Sequence, residues 1–500
     1  MGILKKEKKL KNNLLKIAFI ILAIVFIVPS AIYLLQNGTI LGFNNYYNFL
    51  IENVNSKGLS SAIYLITFAL LTAIYIYFIS KKDVFKNIKQ LLIFIGAVST
   101  IFLIMLPWTS SDIFYYMGVG ELDSEYKKNP YYISIREYCN ENMDKVHDDE
   151  IIHQGYSNYW SGTTVIYGPV AQLIFRTLTK LSFKNIDVCL LLFKLVNLIA
   201  HLLNCYLIYK ITKKIRFVAL YGLNPYILLE FLGMVHNDII VVFLILLSLY
   251  ILLKKKKLLP SVVFLSLATG IKYFTVLLLP IYILYHYREE RSIAKRFLKC
   301  IEYGLIFIVV FILEYAIYFR DMNIFTAMMV QNEKYSKSIY SGLIGLDQLA
   351  GINTVNIFEK TIAIGTISKI LKNSILAIFA ITYIKFCIDL LTTKEIKLNN
   401  ALRKYNFELT IFIFALATFQ QWYIIWLFAT IFWQKPKTIK NIVVFSIATE
   451  FANSVYMFNS EHYKYDICFW GIILVLWMST FGDGAKKVLA KVTNKVRREA

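Results

Sequence analysis

Apolar blocks long enough to cross a bilayer follow one another along most of this chain, and one long polar stretch, from Pro107 to Pro169, interrupts them. Composition carries the same message. Of the 500 residues 58% are hydrophobic and only 17% are charged, against about 25% charged in soluble domains. The mean hydropathy is +0.56. The expected class is an all-α polytopic membrane protein, residues 1–500 forming a single integral membrane domain of about 12–14 transmembrane helices with a large extracytoplasmic loop.

The net charge of +22 raises the question of nucleic acid, and the placement of the charge answers it. The basic runs are short and lie between apolar spans: Lys5-Lys6, Lys81-Lys82, Lys213-Lys214, Lys254 to Lys257, Lys435 and Lys437, and Lys495 to Arg498. Positive segments resist translocation and collect in cytoplasmic loops, where they meet anionic headgroups. The charge therefore reports topology and contact with membrane lipids, and no nucleic acid is expected. The six cysteines show no CxxC spacing, and five lie within apolar spans, so neither a disulfide framework nor a zinc site is indicated. The first apolar run, Leu14 to Leu35, is too long for a cleaved signal peptide and reads as a retained signal-anchor.

With the N-terminus cytoplasmic, Leu14 to Leu35 exits, Ser60 to Ile79 returns and Leu91 to Leu106 exits again. Residues 107–185 then form a first large extracytoplasmic loop. Within it Ile166 to Phe183 reads as an amphipathic helix on the membrane surface rather than a span, because a span here would carry the basic loop Lys210 to Arg216 outside. Ile186 to Tyr209 re-enters. Three hairpins share one design: Phe217 to Leu253 broken at Gly233 to Asp238, Leu258 to Tyr285 broken at Gly270 to Tyr273, and Phe407 to Trp433 broken at Gln420 to Tyr423. Each has basic ends and a polar midpoint, so each midpoint faces outward. The second has roughly 13 residues per arm where about 20 are needed, which places Lys272 below the outer surface. Residues 320–360 form a second extracytoplasmic loop and 481–500 a basic cytoplasmic tail.

Four features carry candidate chemistry. Asp112 lies just beyond a span, where a carboxylate can act as a general base; a Ser111-Asp112 helix cap is an equally good reading. His236, Asn237 and Asp238 open a strongly apolar run, and ionisable groups at membrane depth are functional candidates; Asn237 or Asp238 capping the following helix is the alternative. Glu230 and the break at Asn224-Pro225 precede them. Lys272 can meet a lipid phosphate or snorkel outward. Among the aromatics, Tyr116, Tyr167, Trp422 and Tyr423 can stack on sugars or belong to an interfacial belt. Glu121 and Asp123 read as solvated. No Walker loop, GxGxxG, HExxH, GxSxG or DxD-type pair is present, so a cytosolic nucleotide site is unsupported. No cofactor is required by the sequence; a divalent cation, with Asp112 and Asp238 as candidate ligands, is compatible with it.

Ser111 to Tyr116, Asn129-Pro130-Tyr131 and Tyr167-Gly168-Pro169 resemble the first outer loop of GT-C fold polytopic glycosyltransferases. Asn224-Pro225, Glu230 and His236-Asn237-Asp238 are similar to a stretch of the bacterial polyprenyl-phosphomannose-dependent mannosyltransferases, as are Gly270 to Pro280 and Gln421 to Trp426. The resemblance implies transfer of one hexose, mannose-like or other, from a polyprenyl-phosphate sugar donor to a cell-envelope glycan or lipid acceptor, outside the cytoplasmic membrane and with inversion. It implies Asp112 as catalytic base and Lys272, Arg176 or His236 as positive charge for the phosphate. Two departures stand: the polar loop follows the third span rather than the first, and Gln420-Gln421 replaces a proline before Trp422-Tyr423. A lipid-linked oligosaccharide polymerase or ligase, and a transporter or flippase, remain as alternatives.

Overall fold

The computed structural model describes residues 2–39, 57–81, 83–331, 334–351, 353–357 and 360–456. Most of the chain between the first two expected spans, Cys468 and the basic tail lie outside the described residues. The chain divides into two compact units, Met1–Gln331 with Lys385–Ala401, and Asn332–Ile384 with Leu402–Ala500.

In the first unit α1 (Gly2–Asn37), α2 (Lys57–Ser80) and α3 (Ile88–Ile101) pack through aromatic side chains. Phe19, Phe68 and Phe102 are fully buried, and Phe26 meets Tyr64 edge to face at 5.1 Å. The polar stretch that follows folds into short helices: α4 (Asp112–Ser124), α5 (Ile135–Glu141), α6 (Glu150–Tyr156) and α7 (Pro169–Leu181). A capping box between Ser134 and Glu137 starts α5, and Pro169 starts α7 where its missing N–H costs nothing. In α7 the residues Ala171, Gln172, Phe175, Leu178 and Thr179 form one buried face that packs on α4. Helices α4 and α6 cross at Gly118 and Gly155, where a Cβ on either would lie 2.7 Å from the other's Cα. Only glycine permits that approach.

The long helix α8 (Ile186–Thr212) follows. After it the chain is broken repeatedly. Helix α9 (Ile215–Gly222) bends by 46° into Pro225–Gly233, whose last six residues wind as a π-helix. The break falls at Asn224-Pro225, where the Asn224 side chain accepts a hydrogen bond from the Tyr226 N–H at 3.1 Å. Helix α10 (Asp238–Tyr250) follows and extends to Lys255 as a second π turn. Helix α11 (Leu258–Thr269), a 3-10 segment (Tyr273–Leu278) and α12 (Leu279–His286) make the second hairpin, and α13 (Ile293–Tyr315) follows.

The second unit holds a helix Ile339–Ala350, most of α14 (Ile364–Thr392) and α15 (Leu398–Ala415), and α16 (Pro436–Tyr456). A two-stranded antiparallel hairpin, β1 (Thr354–Ile357) with β2 (Lys360–Ala363), pairs Thr354 with Ala363 and is a small exception to the expected all-α content.

Among the described residues four helices are long and apolar enough to cross a membrane, and the bent pair 215–233 makes a fifth. This is a helical membrane protein. The remaining expected crossings fall on shorter or interrupted helices such as Ile88–Ile101 and Leu258–Thr269, or outside the described residues.

Candidate functional site

The site is built where the broken segments of the first unit meet the start of α4. Asp112 is the first residue of α4, and the Ser111 side chain makes no capping bond, so the cap reading does not describe this residue. Asn158 donates to the Ser111 carbonyl at 2.7 Å and ties the helix start to a later part of the polar stretch. Asp112 keeps 14% exposure and faces His236, whose Nδ1 is 3.9 Å from its Oδ2. On the far side of the ring, Nε2 of His236 is 3.3 Å from Oε2 of Glu230. Both His236 and Glu230 are fully buried. One imidazole thus stands between two carboxylates.

That arrangement depends on unusual backbone. Glu230 sits in the π turn, a geometry that is rare and concentrates at functional sites. Val235, immediately before His236, has φ +67°, a left-handed conformation that a β-branched residue adopts only under constraint. The His236 N–H closes the loop onto the Glu230 carbonyl at 3.2 Å, and the Met234 sulfur accepts from the backbone N–H groups of Trp108 and Thr109.

Asp238 begins α10. Asn237, at the position before it, makes no capping bond, so the cap alternative fails here as well. The Lys272 ammonium lies 3.6 Å from Asp238 Oδ1 and 4.6 Å above the Tyr167 ring. Tyr167 donates to the Tyr116 hydroxyl at 3.1 Å and its carbonyl accepts from Tyr131 at 2.9 Å. Burial first, then Tyr167, Asp112 and Asp238, hold the Tyr116 phenol well above its ordinary value, so it remains a proton donor. Tyr116 stands one helical turn beyond Asp112 on α4 and so links the two charge pairs. Asp112, Tyr116, Tyr167, Lys272, Asp238 and His236 close a ring. Both side-chain polar atoms of Asn237 are buried there without a hydrogen-bond partner.

The backbone that follows Tyr167 and the backbone that precedes Lys272 are locked together. The N–H groups of Val170 and Ala171 bond the Gly270 carbonyl at 2.8 and 3.2 Å. A Cβ on Gly168 would meet that carbonyl oxygen at 2.4 Å, so no larger residue fits.

The expectation for two acidic residues needs correction. Glu121 and Asp123 are buried, not solvated. Asp123 accepts from Tyr318 at 2.8 Å and Gln172 at 3.2 Å and pairs with Arg176 at 3.4 Å. Arg176 thus pairs with Asp123 as Lys272 pairs with Asp238. Trp422 and Tyr423 belong to the second unit, where Trp422 is buried and Tyr423 stacks on Trp426 at 4.4 Å. Among the described residues no group of three or more His, Cys, Asp or Glu side chains is placed to hold a metal ion, so Asp112 and Asp238 gain no further ligand of that kind.

The sequence reading missed the support beneath the ring. Lys194, Asn197, His201 and Asn204 line one face of α8, all buried. The Lys194 ammonium donates to the carbonyls of Phe102, Leu232 and Gly233 at 3.2, 3.0 and 3.2 Å. Asn197 donates to Phe231 and His236 carbonyls at 2.8 and 3.0 Å, and Asn204 to Ile239 at 3.2 Å. Broken helices free carbonyls that hydrocarbon cannot satisfy, and this ladder satisfies them. The spacing of 194, 197, 201 and 204 was the available signal.

No curated protein and no solved structure matches the chain. One family model does: alpha-(1->6)-mannopyranosyltransferase, N-terminal domain, over residues 19–288. Those residues run from α1 to the end of α12 and include every member of the ring, whereas Trp422 and Tyr423 lie beyond them. With more than half of its length matched, the chain belongs to the alpha-(1->6)-mannopyranosyltransferase family.

Proposed function

We propose that this mannosyltransferase moves one mannosyl residue from a polyprenyl-phosphate donor to a hydroxyl of a cell-envelope glycan or lipid, at the outer face of the cytoplasmic membrane. The carrying observation is the placement of His236 between Asp112 and Glu230. A carboxylate backed by a buried imidazole and a second acid is suited to general-base work. In the reaction the acceptor oxygen attacks the anomeric carbon. The bond from that carbon to the phosphate oxygen breaks, its electron pair leaves with the polyprenyl phosphate, and the hydroxyl proton passes to Asp112. Direct displacement inverts the anomeric centre, so an α product of the kind named for the family requires a β-linked donor.

Lys272 supports the developing phosphate charge from beside Asp238, held over the Tyr167 ring. Protonated Tyr116 and the unpartnered Asn237 amide offer hydrogen bonds to sugar hydroxyls. The outward orientation rests on the basic ends of the hairpins.

The test is turnover of radiolabelled polyprenyl-phosphate mannose by the purified protein in detergent, with the product sized and its anomeric configuration assigned. A single added α-mannose supports the reading. Long chains would indicate a polymerase, and donor moved without being consumed would indicate a flippase.

A further inference from the structure

A cavity of about 300 Å³ lies at the end of the first two hairpins remote from the ring. The helical stretch from Asp238 to Lys255 separates the two places by about 27 Å at 1.5 Å per residue. The cavity is lined by Lys256, His286 and Arg288, by the carboxylates Glu289 and Glu290, and by Tyr285, Tyr287 and the apolar Leu252 and Leu253. Four consecutive lysines, Lys254 to Lys257, and two arginines, Arg288 and Arg291, stand in the two flanking segments against two carboxylates.

Both carboxylates, Glu289 and Glu290, also line the cavity, and each has a partner. Glu290 accepts from the Ser292 N–H at 2.8 Å at the start of α13, and Glu289, 90% exposed, lies 3.5 Å from Arg288. The six basic residues of the two segments leave a surplus of positive charge around them. Lys256 is exposed in the left-handed turn between hairpins, with φ +55°, and has no ion-pair partner among the described residues. The loop that forms the other wall is fixed. The buried Arg296 guanidinium donates to the carbonyls of Glu290 at 2.6 Å, Arg288 at 3.2 Å and Thr393 at 2.5 Å. The cavity is thus preformed rather than gathered by a ligand.

We propose that this cavity is a binding site for a phosphate ester anion, remote from the transfer site and independent of the reading given for it. Cations between helix ends at a membrane face attract phosphate headgroups. Leu252 and Leu253 on the wall favour a lipid as the source, with its phosphate among Lys256, His286 and Arg288 and its glycerol and acyl carbons along the leucines.

The test uses the full chain in a neutral detergent, with dioleoylphosphatidylglycerol, dioleoylphosphatidylcholine and inorganic phosphate as separate probes. Lipid adducts are counted by mass spectrometry of the intact protein, and thermal stabilisation is followed in parallel. The expected result is phosphatidylglycerol binding that K256Q/R288Q weakens about tenfold or more. The control K86Q/K89Q removes two cations elsewhere and is expected to keep it. Equal binding of phosphatidylcholine, unchanged binding by K256Q/R288Q, or equal loss in the control would overturn the site. Stabilisation by inorganic phosphate alone, with the same loss in K256Q/R288Q, would keep the phosphate site and overturn the lipid source. Because K256Q/R288Q alters no residue of the ring, it is expected to leave mannosyl transfer intact in detergent.

Discussion

Nδ1 of His236 stands 3.9 Å from Oδ2 of Asp112, across a boundary between a fully buried ring and a carboxylate that still reaches solvent. In the proposed reaction Asp112 receives the proton of the bound acceptor, with His236 and Glu230 behind it. His236→Gln keeps much of the size and polarity of the ring and removes its ionisation. Mannosyl transfer is expected to fall about 100-fold, with the fall in kcat rather than KM, and the pH–rate profile to lose a limb. Unchanged kcat would show that the imidazole only fills space.

Lys194 is the next target. Lys194→Met withdraws the donor from three buried carbonyls, each costing about 1–3 kcal/mol if left unsatisfied. The variant is expected to melt well below the wild type in detergent, and Asn197→Leu to show a smaller loss. Melting at the wild-type temperature would mean that water or a rearranged chain serves those carbonyls.

Gly168→Ala tests the lock between the polar stretch 107–169 and the hairpin that carries Lys272. The new Cβ would meet the Gly270 carbonyl oxygen at 2.4 Å, so the two backbones must part. A raised KM for the polyprenyl-phosphate donor is expected, because Lys272 and Tyr167 no longer meet. Steady-state kinetics across donor concentrations read this directly.

Glu121 makes the outer loop sensitive to pH. Burial, then the charges of Asp149 and Glu125, push its carboxyl up to about 8. The folded loop therefore holds a proton that the unfolded chain gives up in the ordinary carboxyl range. The stability this confers is complete below that range and is lost as pH rises through about 8. The wild type is expected to melt lower at about pH 9 than at about pH 6, and Glu121→Gln to flatten the difference. Parallel melting curves for the two proteins would contradict the assignment.

The parts of the site visible in the sequence were those whose chemistry contrasts with their surroundings. Asp112, His236, Asp238 and Lys272 each interrupt an apolar run, and the breaks at Asn224-Pro225 and Gly270 were marked by residues that end helices. What stayed hidden depends on partners far along the chain. Asp123 stands among Glu121, Ser124 and Glu125 in the sequence, yet Gln172, Arg176 and Tyr318 meet it from 49, 53 and 195 residues away. Lys194 and Asn197 bond backbone carbonyls, which no side-chain pattern records. The π turn at Glu230 and the left-handed Val235 arise from packing and carry no residue signature.

The central claim is that Asp112 takes the proton in mannosyl transfer, and Asp112→Asn tests it most directly. The amide keeps the shape of the carboxylate and cannot act as the base. Transfer from polyprenyl-phosphate mannose by the purified variant is expected to fall at least about 100-fold, with expression in the membrane and melting unchanged. Transfer near the wild-type rate from a folded Asp112→Asn protein would contradict the account.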